Sequence, residues 1–394
     1  MEITPYPKNA KKHPKKQVEQ VANSIKEFGM NQPIVVDKQG VIIVGHGRYE
    51  ALKHLGWEIK DEYIKVVDLT EEQAKSYRLA DNKLNESDWD MDLVIEELKE
   101  LSEPMLDLTG FDKDLIIEPE EKDDEVPEVP EEPQSKLGDL YELGGHRVLC
   151  GDSTKLEDVE KLMDGKNADI SFTSPPYNAG DNIRGEFYDN DSDNKGDDEY
   201  VSFLVTTTLN ALEYCEFNFV NLGILESNKF ALIDFQTQMR DYTKDVLVWN
   251  KKTAPPHINK GTLATKWEYV FAFIKEPKSR AFPCTWQGKH TNVIETENNS
   301  GNEFAELHRA GFPVAFPMWI LQTMDFTESV IDLFCGTGTT LIAAEKTGRI
   351  CYGMELDPKY IDVIVTRWCE YTGNDKIKKN GEPITWKKTS ENKQ

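Results

Sequence analysis

The chain has 394 residues, enough for two or three domains, and its 38% hydrophobic content is ordinary for a globular protein with a sizeable core. Its 71 acidic residues outnumber its 46 basic ones, and the net charge of −25 argues at face value against a nucleic-acid partner. No apolar run approaches the ~20 residues of a membrane span, and the N-terminus lacks a signal-peptide core. Composition therefore excludes membrane and secreted classes.

The cysteines and histidines add two expectations. The six cysteines are far apart and form no CxxC pair, which favours reduced thiols in a cytoplasmic protein. The seven histidines show no metal-ligand spacing, so no metal site is predicted.

Most of the negative charge lies in two segments. Residues 85–134 carry a net charge of −17, residues 186–199 carry −6, and the remainder of the chain carries only −2. Residues 118–134 alternate proline with acidic residues, a composition typical of a solvated, extended linker. The predicted regions are a first domain with an acidic helical extension (1–107), an acidic Pro-rich linker (108–135), a second domain (136–373) and a polar tail (374–394).

The first domain shows helical and strand patterns in alternation. Apolar residues recur at three- and four-residue spacing from Val18 to Phe28, and Gly29 follows as a stop signal. In chain order the predicted elements are this helix, hairpin strands at 33–37 and 41–44, a helix closed by Gly56, a strand at 63–67, a helix at 71–84 and an acidic helix at 92–101.

A glycine-rich turn joins the hairpin to the helix that follows. It consists of Gly45, His46, Gly47 and Arg48. Free N–H groups at a helix N-terminus, with an arginine nearby, make an anion cradle. The alternative is a tight turn in which the glycines only permit positive φ.

The stretch VIIVGHGRYEALKHLG resembles the strand–turn–helix signature of the ParB/sulfiredoxin-like family, over roughly residues 3–85. The resemblance implies a small α+β domain whose turn contacts the phosphates of a nucleotide, through Gly45, His46, Gly47 and Arg48. Other members of the family bind DNA. The turn lacks the Glu and second Arg of the partition proteins and the Cys of sulfiredoxins, so neither nucleotide hydrolysis nor sulfiredoxin activity is expected.

The second domain carries a catalytic candidate after a strand at 168–172. The strand runs into Thr173-Ser174-Pro175-Pro176-Tyr177-Asn178, where two prolines stiffen the turn at the strand's carboxyl end. An exocyclic amino group of a base is a poor nucleophile, because its lone pair is delocalised into the ring. A hydroxyl and a proline carbonyl can accept its protons, and a tyrosine ring can stack on a base extruded from its duplex.

A second motif has the order of a Rossmann-type cofactor site. A buried-strand pattern at 329–334 precedes Cys335-Gly336-Thr337-Gly338-Thr339-Thr340 and a helix, and the next strand ends in Glu355, 19 residues after Gly336. The glycines allow close approach of a ligand, and the acid can accept hydrogen bonds from ribose hydroxyls. The third glycine of the dinucleotide fingerprint is missing, which favours a nucleoside cofactor without phosphates.

Together, TSPPYN followed by DLFCGTGTT resembles the permuted (β) class of DNA amino-methyltransferases, over roughly residues 136–373. The resemblance implies a Rossmann-like α/β sheet, S-adenosyl-L-methionine as cofactor, double-stranded DNA as partner, base flipping and a bacterial or phage-encoded cytoplasmic enzyme. A homodimer is an open expectation. The catalytic residues it implies are Ser174, Pro175, Pro176 and Tyr177. The cofactor-binding residues it implies are Asp152, Thr173, Asp332, Phe334, Gly336, Gly338, Thr339 and Glu355.

The target base and the mode of DNA contact stay open. Ser174 replaces the Asp that is more usual in adenine enzymes, so N4 of cytosine is favoured over N6 of adenine. Candidates for DNA contact are Trp286, Lys289, His290, Arg309 and the loop 251–266. Two alternative functions are a ParB-like DNA-binding regulator with an inactive methylase remnant, and a methyltransferase that acts on RNA or protein.

Overall fold

The computed structural model describes residues 2–84, 91–111, 113–179, 195–252, 265–277, 279–284, 290–296 and 312–387. The chain divides into two compact units, Met1–Ile116 and Ile117–Gln394. Within the described ranges, no helix is both long enough and apolar enough to cross a membrane.

The first unit is a small α+β domain. Its three strands form a mixed sheet in the order β2-β1-β3, with β1 antiparallel to β2 and parallel to β3. The elements are α1 (Lys15–Phe28), β1 (Ile34–Val36), β2 (Ile42–Val44), α2 (His46–His54), β3 (Ile64–Val66), α3 (Glu71–Leu84), α4 (Met91–Lys99) and α5 (Glu103–Thr109).

Apolar spacing predicts the core of this unit correctly. Ala22 and Ile25 of α1 pack with β1, β2 and the buried Ala51 and Leu52 of α2, so the helix faces that the sequence pattern marked are the buried ones. Gly45 caps α2 at φ 96°, a left-handed conformation that disfavours a side chain. The predicted hairpin and the sharp turn into α2 are confirmed.

The second unit is built on one sheet with eleven described strands. Their order is β10-β8-β9-β7-β6-β11-β12-β5-β4-β13-β14. The strands are β4 (Leu140–Leu143), β5 (His146–Cys150), β6 (Ala168–Thr173), β7 (Cys215–Leu222), β8 (Thr243–Asn250), β9 (Trp267–Ile274), β10 (Val293–Glu295), β11 (Ser329–Asp332), β12 (Ile350–Glu355), β13 (Lys376–Lys379) and β14 (Glu382–Thr385).

Helices cover the sheet through two separate apolar clusters, as expected because its five central strands are parallel and parallel strands are buried on both faces. One cluster contains residues of α6 (Leu156–Met163), α7 (Asp197–Leu212) and α8 (Lys229–Gln238). The other contains residues of α9 (Ala315–Thr323), α10 (Thr339–Lys346) and α11 (Pro358–Thr372). The predicted Rossmann-like α/β class is confirmed.

The centre of the sheet contains a topological switch point. Strands β7, β6, β11, β12 and β5 are neighbours and all parallel. The chain leaves β6 toward β7 on one side and leaves β11 toward β12 on the other. Loops that leave adjacent strands in opposite directions open a crevice at their carboxyl ends, where α/β sheets bind ligands.

Two regions differ from the sequence expectation. We predicted an acidic Pro-rich linker over 108–135 that is solvated at 118–134, but α5 occupies its first residues, and Asp123 is 1% exposed and ion-paired with Lys346. We also predicted a polar tail after 373, but β13 and β14 form a hairpin that extends the main sheet through β4. A count of charges cannot reveal these contacts, because each depends on a partner far away in the chain.

Candidate functional site

The two predicted motifs meet at the switch point. Ser174–Tyr177 follows β6 and the Gly336–Gly338 turn follows β11, and these strands are direct neighbours. Glu355 ends the next strand, β12, where it pairs in register with Cys150 of β5, two residues before Asp152. Residues up to 203 positions apart in the sequence are thus gathered at one edge of the sheet.

The Ser-Pro-Pro-Tyr turn contains a compact hydroxyl network. The hydroxyls of Ser174 and Tyr177 lie 3.1 Å apart, and both contact the amide oxygen of Asn221, at 3.2 and 2.7 Å. Tyr177 also donates to Glu268 Oε2 at 2.9 Å. Asn221 lies near the end of β7 and Glu268 in β9, so the two strands beyond β6 complete the network.

The orientation of the Asn221 amide is fixed by its other end. Its Nδ2 group donates to the backbone carbonyl of Tyr269 at 3.1 Å, so Oδ1 must face the two hydroxyls. Ser174 donates its only proton to that oxygen, which leaves its lone pairs as acceptors. The network thus presents Ser174 as an acceptor to anything that approaches from the crevice.

The Tyr177 ring packs closely on the backbone. A β-carbon added to Gly223 would come within 2.9 Å of ring atom Cε2, so only glycine leaves room for the ring. Asn228 donates to the Tyr177 carbonyl at 2.7 Å and to the Gly223 carbonyl at 3.0 Å. These contacts hold both the ring and its backbone in one position.

A buried ion pair lies behind the tyrosine. The Glu268 carboxylate contacts the Lys251 ammonium, and both side chains are largely buried. Burial, followed by the charge of Glu268, raises the pKa of Tyr177 well above its usual range. Tyr177 is therefore a neutral donor at physiological pH.

The two prolines have different surroundings. The Pro176 carbonyl accepts a hydrogen bond from the Tyr200 hydroxyl at 2.7 Å, which anchors the turn to α7. No residue in the described part of the chain donates to the Pro175 carbonyl, so that oxygen keeps its capacity to accept. Among the described residues, the Pro176 carbonyl thus has a hydrogen-bond donor and the Pro175 carbonyl has none.

The glycine turn after β11 is open on one side. Gly338 caps α10 at φ 84°, and a β-carbon there would lie 3.2 Å from Ile364, so this glycine is fixed by packing as well as by conformation. Gly336 has φ 51°, and a β-carbon built on it would meet no atom within 4 Å. The space beside Gly336 is the part of the turn where a ligand can approach the backbone.

Glu355 closes that space from β12. Its two oxygens accept hydrogen bonds from the backbone N–H groups of Gly336, at 2.9 Å, and Asp357, at 3.0 Å. Burial nevertheless raises the pKa of Glu355 to about 7. Further donors, such as the hydroxyls of a ribose, would stabilise its charged form.

Other predicted cofactor residues support the turns from within. Asp332 and Thr173 are buried and hydrogen-bonded to each other at 2.9 Å, and Asp332 also accepts from the Phe334 N–H. Phe334 packs edge-on against Phe203, and the Thr339 hydroxyl lies 3.2 Å from a guanidinium nitrogen of Arg367. Contact of these residues with a cofactor stays a prediction.

Asp152 lies beyond the end of β5 in a turn of its own. Its Oδ1 accepts from the backbone N–H and the hydroxyl of Thr154, at 3.0 and 2.6 Å, and Lys155 lies 3.3 Å from Oδ2. Burial opposes ionisation, but these hydrogen bonds outweigh it and lower the pKa of Asp152. The carboxylate is charged and partly exposed, as a hydrogen-bond acceptor for a ligand should be.

In the first unit, the glycine-rich turn borders a cavity of about 760 Å³. The Arg48 guanidinium donates to Gln32 Oε1 at 2.7 Å and to the Pro33 carbonyl at 3.2 Å, and its contact with a phosphate stays a prediction. His46 is buried and accepts from the Tyr6 N–H at 3.2 Å, and burial lowers its pKa to about 4. His46 is therefore neutral at physiological pH, and its contact with a phosphate stays a prediction.

Most candidates for DNA contact cannot be placed. Trp286, Lys289, Arg309 and most of the loop 251–266 lie outside the described residues. His290 is described, and its ring meets Trp319 edge-on at 6.0 Å.

The fold and the site define a class: a doubly wound α/β protein with a Rossmann-like cofactor turn next to a Ser-Pro-Pro-Tyr pocket. The profile of the family described as DNA methylase matches residues 168–366, and that of the ParB N-terminal domain matches residues 2–83. The chain belongs to the DNA methylase family and carries a ParB N-terminal domain ahead of it.

Individual relatives match one unit or the other. The ParB-like nuclease domain-containing protein YnaK of Escherichia coli K12 is 42% identical over 74 residues, which are 19% of this chain and 84% of YnaK. The type II methyltransferase M.ScaI of Streptomyces caespitosus is 25% identical over 58% of this chain and 82% of its own length.

Another relative is matched over a smaller part of its length, and a solved structure is matched at lower sequence identity. M.Cfr9I of Citrobacter freundii is 29% identical over 32% of this chain, and the match spans only 44% of that relative. A solved PvuII DNA methyltransferase (cytosine-N4-specific) superposes on 61% of this chain and 94% of its own, with 19% identity and a TM-score of 0.45.

The sequence reasoning missed four residues of the pocket: Asn221, Gly223, Asn228 and Glu268. A weak signal was present, because Asn221 and Glu268 are polar residues within otherwise apolar strands. Such residues are buried only when they have partners. The identity of those partners requires the strand order.

Proposed function

We propose that this protein transfers a methyl group from S-adenosyl-L-methionine to the exocyclic amino group of a base in double-stranded DNA, with N4 of cytosine favoured. The observation that carries the proposal is the adjacency of the Ser174–Tyr177 pocket to the Gly336–Glu355 cofactor side, on neighbouring parallel strands. An amino acceptor site and a methyl-donor site must lie this close for direct transfer.

The residues present fit the cofactor. The open space beside Gly336 admits a ligand against the backbone, and the buried Glu355 carboxylate gains from hydroxyl donors. Asp152 offers a charged acceptor at the next strand end. When bound, S-adenosylmethionine supplies an electrophilic methyl group; Gly336, Glu355 and Asp152 would hold its nucleoside part.

In the mechanism that we favour, the pocket makes the amino group a better nucleophile. Ser174 Oγ and the Pro175 carbonyl accept hydrogen bonds from its two N–H groups and draw these hydrogens out of the ring plane, while Tyr177 stacks on the extruded base. Asn221 keeps the Ser174 proton turned away from the substrate. The serine hydroxyl in place of a carboxylate supports cytosine as the target.

The same network offers a route for the proton that the methylated nitrogen must lose. Ser174 Oγ, Tyr177 Oη and Glu268 Oε2 form a chain with spacings of 3.1 and 2.9 Å. A proton accepted at Ser174 can pass along this chain if the Ser174 hydroxyl turns from Asn221 to Tyr177 and each hydroxyl then gives up its own proton to the next oxygen, ending on Glu268. Lys251 balances the charge of that carboxylate before transfer.

Modification-aware sequencing of DNA from cells that express the protein tests this proposal. The expected result is N4-methylcytosine at a defined sequence, absent from cells that express Tyr177→Ala. N6-methyladenine instead would change the assigned target base and leave the rest of the proposal intact. If labelled cofactor transfers no methyl group to duplex DNA but labels RNA or protein, the substrate assignment is wrong. If it labels none of these, the result favours a ParB-like DNA-binding regulator with an inactive methylase remnant.

We further propose that the cavity of the first unit binds an anionic ligand such as a nucleotide. Two features support this. The cavity is large enough, and Gly45, in a left-handed conformation, stands at the N-terminus of α2, where the first N–H groups of a helix have no partner within the helix. Calorimetric titration with nucleoside triphosphates tests it, with Gly47→Leu as the variant expected to block binding. Heat changes that are equal in both proteins would contradict the proposal.

A further inference from the structure

One arginine outside both motifs connects the cofactor turn to the acidic segment 117–135. Arg367 of α11 is only 4% exposed. Its Nη1 donates to the Thr337 carbonyl at 3.0 Å and lies 3.2 Å from the Thr339 hydroxyl. Its Nη2 donates to the Asp123 carbonyl at 2.8 Å. One rigid guanidinium is thus shared between the turn and the acidic segment.

The acidic segment is itself attached to the helices around the turn. Asp123 is ion-paired at 2.9 Å with Lys346, near the end of the helix that the turn begins. Asp124 Oδ1 accepts from the Val314 N–H at 2.7 Å, immediately before α9. Gln322 of α9 donates to the Ile117 carbonyl at 2.9 Å. These contacts fix the Asp123 carbonyl relative to the helices.

Burying an arginine is costly, so its retention needs compensation. Burial lowers the pKa of Arg367 to about 10, with the charges of Asp124 and Asp123 opposing the shift. Its Nε has no hydrogen-bond partner among the described residues. An apolar side chain would pack here at smaller cost, but it could not bond the backbone of the turn.

We propose that Arg367, held by the segment around Asp123, is a positioning residue that keeps the Gly336–Gly338 turn in the conformation that binds the cofactor. Arg367 contacts the turn from the side of Thr337 and Thr339, while the space for a ligand opens at Gly336. The acidic segment is therefore part of the cofactor site's support, and the inference rests on the proposed cofactor.

Two substitutions separate this role from general stability. Arg367→Met removes all bonds to the turn. Lys346→Met leaves Arg367 in place but removes the cation that anchors Asp123. Arg349→Met is the matched control, because Arg349 is also buried but donates to Thr327 and Thr347, away from the turn.

The first measurement is hydrogen exchange of residues 335–340 in the cofactor-free full chain. Exchange should be faster in Arg367→Met and, to a smaller degree, in Lys346→Met, and unchanged in Arg349→Met. Equal exchange in Arg367→Met and the unaltered protein would overturn the inference. This readout requires no cofactor, so it stands even if the proposed function fails.

The second measurement is the affinity for S-adenosylhomocysteine by calorimetry on folded protein. Arg367→Met should bind roughly ten- to a hundredfold more weakly, the range for losing a charged hydrogen bond, and Arg367→Lys should recover only part of this affinity. Arg349→Met should lower the melting temperature without changing affinity. If Arg367→Met also lowers only the melting temperature, its role is structural and the proposal is wrong. If the unaltered protein binds no ligand, the proposed cofactor is wrong instead.

Discussion

The ring of Tyr177 lies against Gly223 so closely that a β-carbon on the glycine would come within 2.9 Å of Cε2. Gly223 follows β7 directly, whereas Tyr177 follows β6, so parallel pairing of the two strands creates the contact. The position of the stacking ring is therefore set by a backbone that belongs to the neighbouring strand.

Gly223→Ala should displace the Tyr177 ring and lower the single-turnover rate of methyl transfer by roughly a hundredfold, because a misplacement of about 1 Å can cost that much. Affinity for S-adenosylhomocysteine should not change. Gly196→Ala is the control, since a β-carbon there meets no atom within 4 Å. Equal rates for the two variants would show that the ring tolerates the shift.

Tyr177→Ala should abolish methyl transfer and leave cofactor affinity intact, because the stacking face is lost while the Gly336 turn is untouched. Tyr177→Phe keeps the ring and removes the hydroxyl that contacts Asn221 and Glu268. It should retain part of the rate. Rapid-quench assays with labelled cofactor measure both, and an active Tyr177→Ala enzyme would refute the proposed mechanism.

Glu268→Gln should slow transfer roughly a hundredfold, the usual contribution of a positioned proton acceptor, without weakening cofactor binding. Glu216→Gln, an exposed glutamate at the other end of β7, is the matched control. An unchanged rate in Glu268→Gln would mean that the proton leaves by another route.

Affinity for S-adenosylhomocysteine should rise with pH up to about 7. Burial raises the pKa of Glu355 to about 7, so the carboxyl group of the free protein is protonated below that pH. Hydroxyl donors of a bound ligand would favour the charged carboxylate, so binding would release this proton. The gain is at most about tenfold per pH unit, since one proton is released. Calorimetry between pH 6 and 8 measures it.

The Glu355→Gln variant is the control for titration of the ligand itself. That variant should bind more weakly throughout and lack the Glu355 component of the pH dependence. Parallel pH profiles in the two proteins would exclude Glu355 as the titrating group.

The first unit should lose stability as pH falls from about 6.5 to about 4. The pKa of His46 is lowered to about 4 by burial, so the unfolded chain takes up the proton before the folded one does. The loss is at most about 3 kcal/mol, from 1.36 kcal/mol per pKa unit. Hydrogen exchange of β1 and β2 amides, corrected for intrinsic rates, detects it. His46→Gln should flatten the dependence, whereas exposed His54→Gln should preserve it.

Neutralising exposed acidic residues of segment 117–135 should tighten non-specific DNA binding. The triple substitution of Glu128, Glu131 and Glu132 by glutamine removes three negative charges and leaves the Asp123–Lys346 pair intact. Titration at several salt concentrations measures the change. If affinity stays flat, these charges serve solubility alone.

The sequence by itself determined the main elements of the first unit and both motifs of the second. Apolar periodicity located α1 and the hairpin of the first unit, and the order of strand, glycine turn, helix and acid located Gly336 and Glu355. These signals are local: each depends on residues within about one helix or strand of each other. Turn chemistry at Gly45 and Gly338 is equally local, because glycine itself permits the left-handed φ that these turns require.

Only the tertiary structure decided which side chains complete the site. Tyr177 reaches Glu268 across 91 residues, and Arg367 reaches Asp123 across 244. Both contacts follow from the strand order and from the docking of the acidic segment, and neither leaves a periodic trace in the sequence. Charge counting placed that segment in solvent because a count gives the number of carboxylates but not their partners. Asp123 is buried because Lys346 is there to meet it.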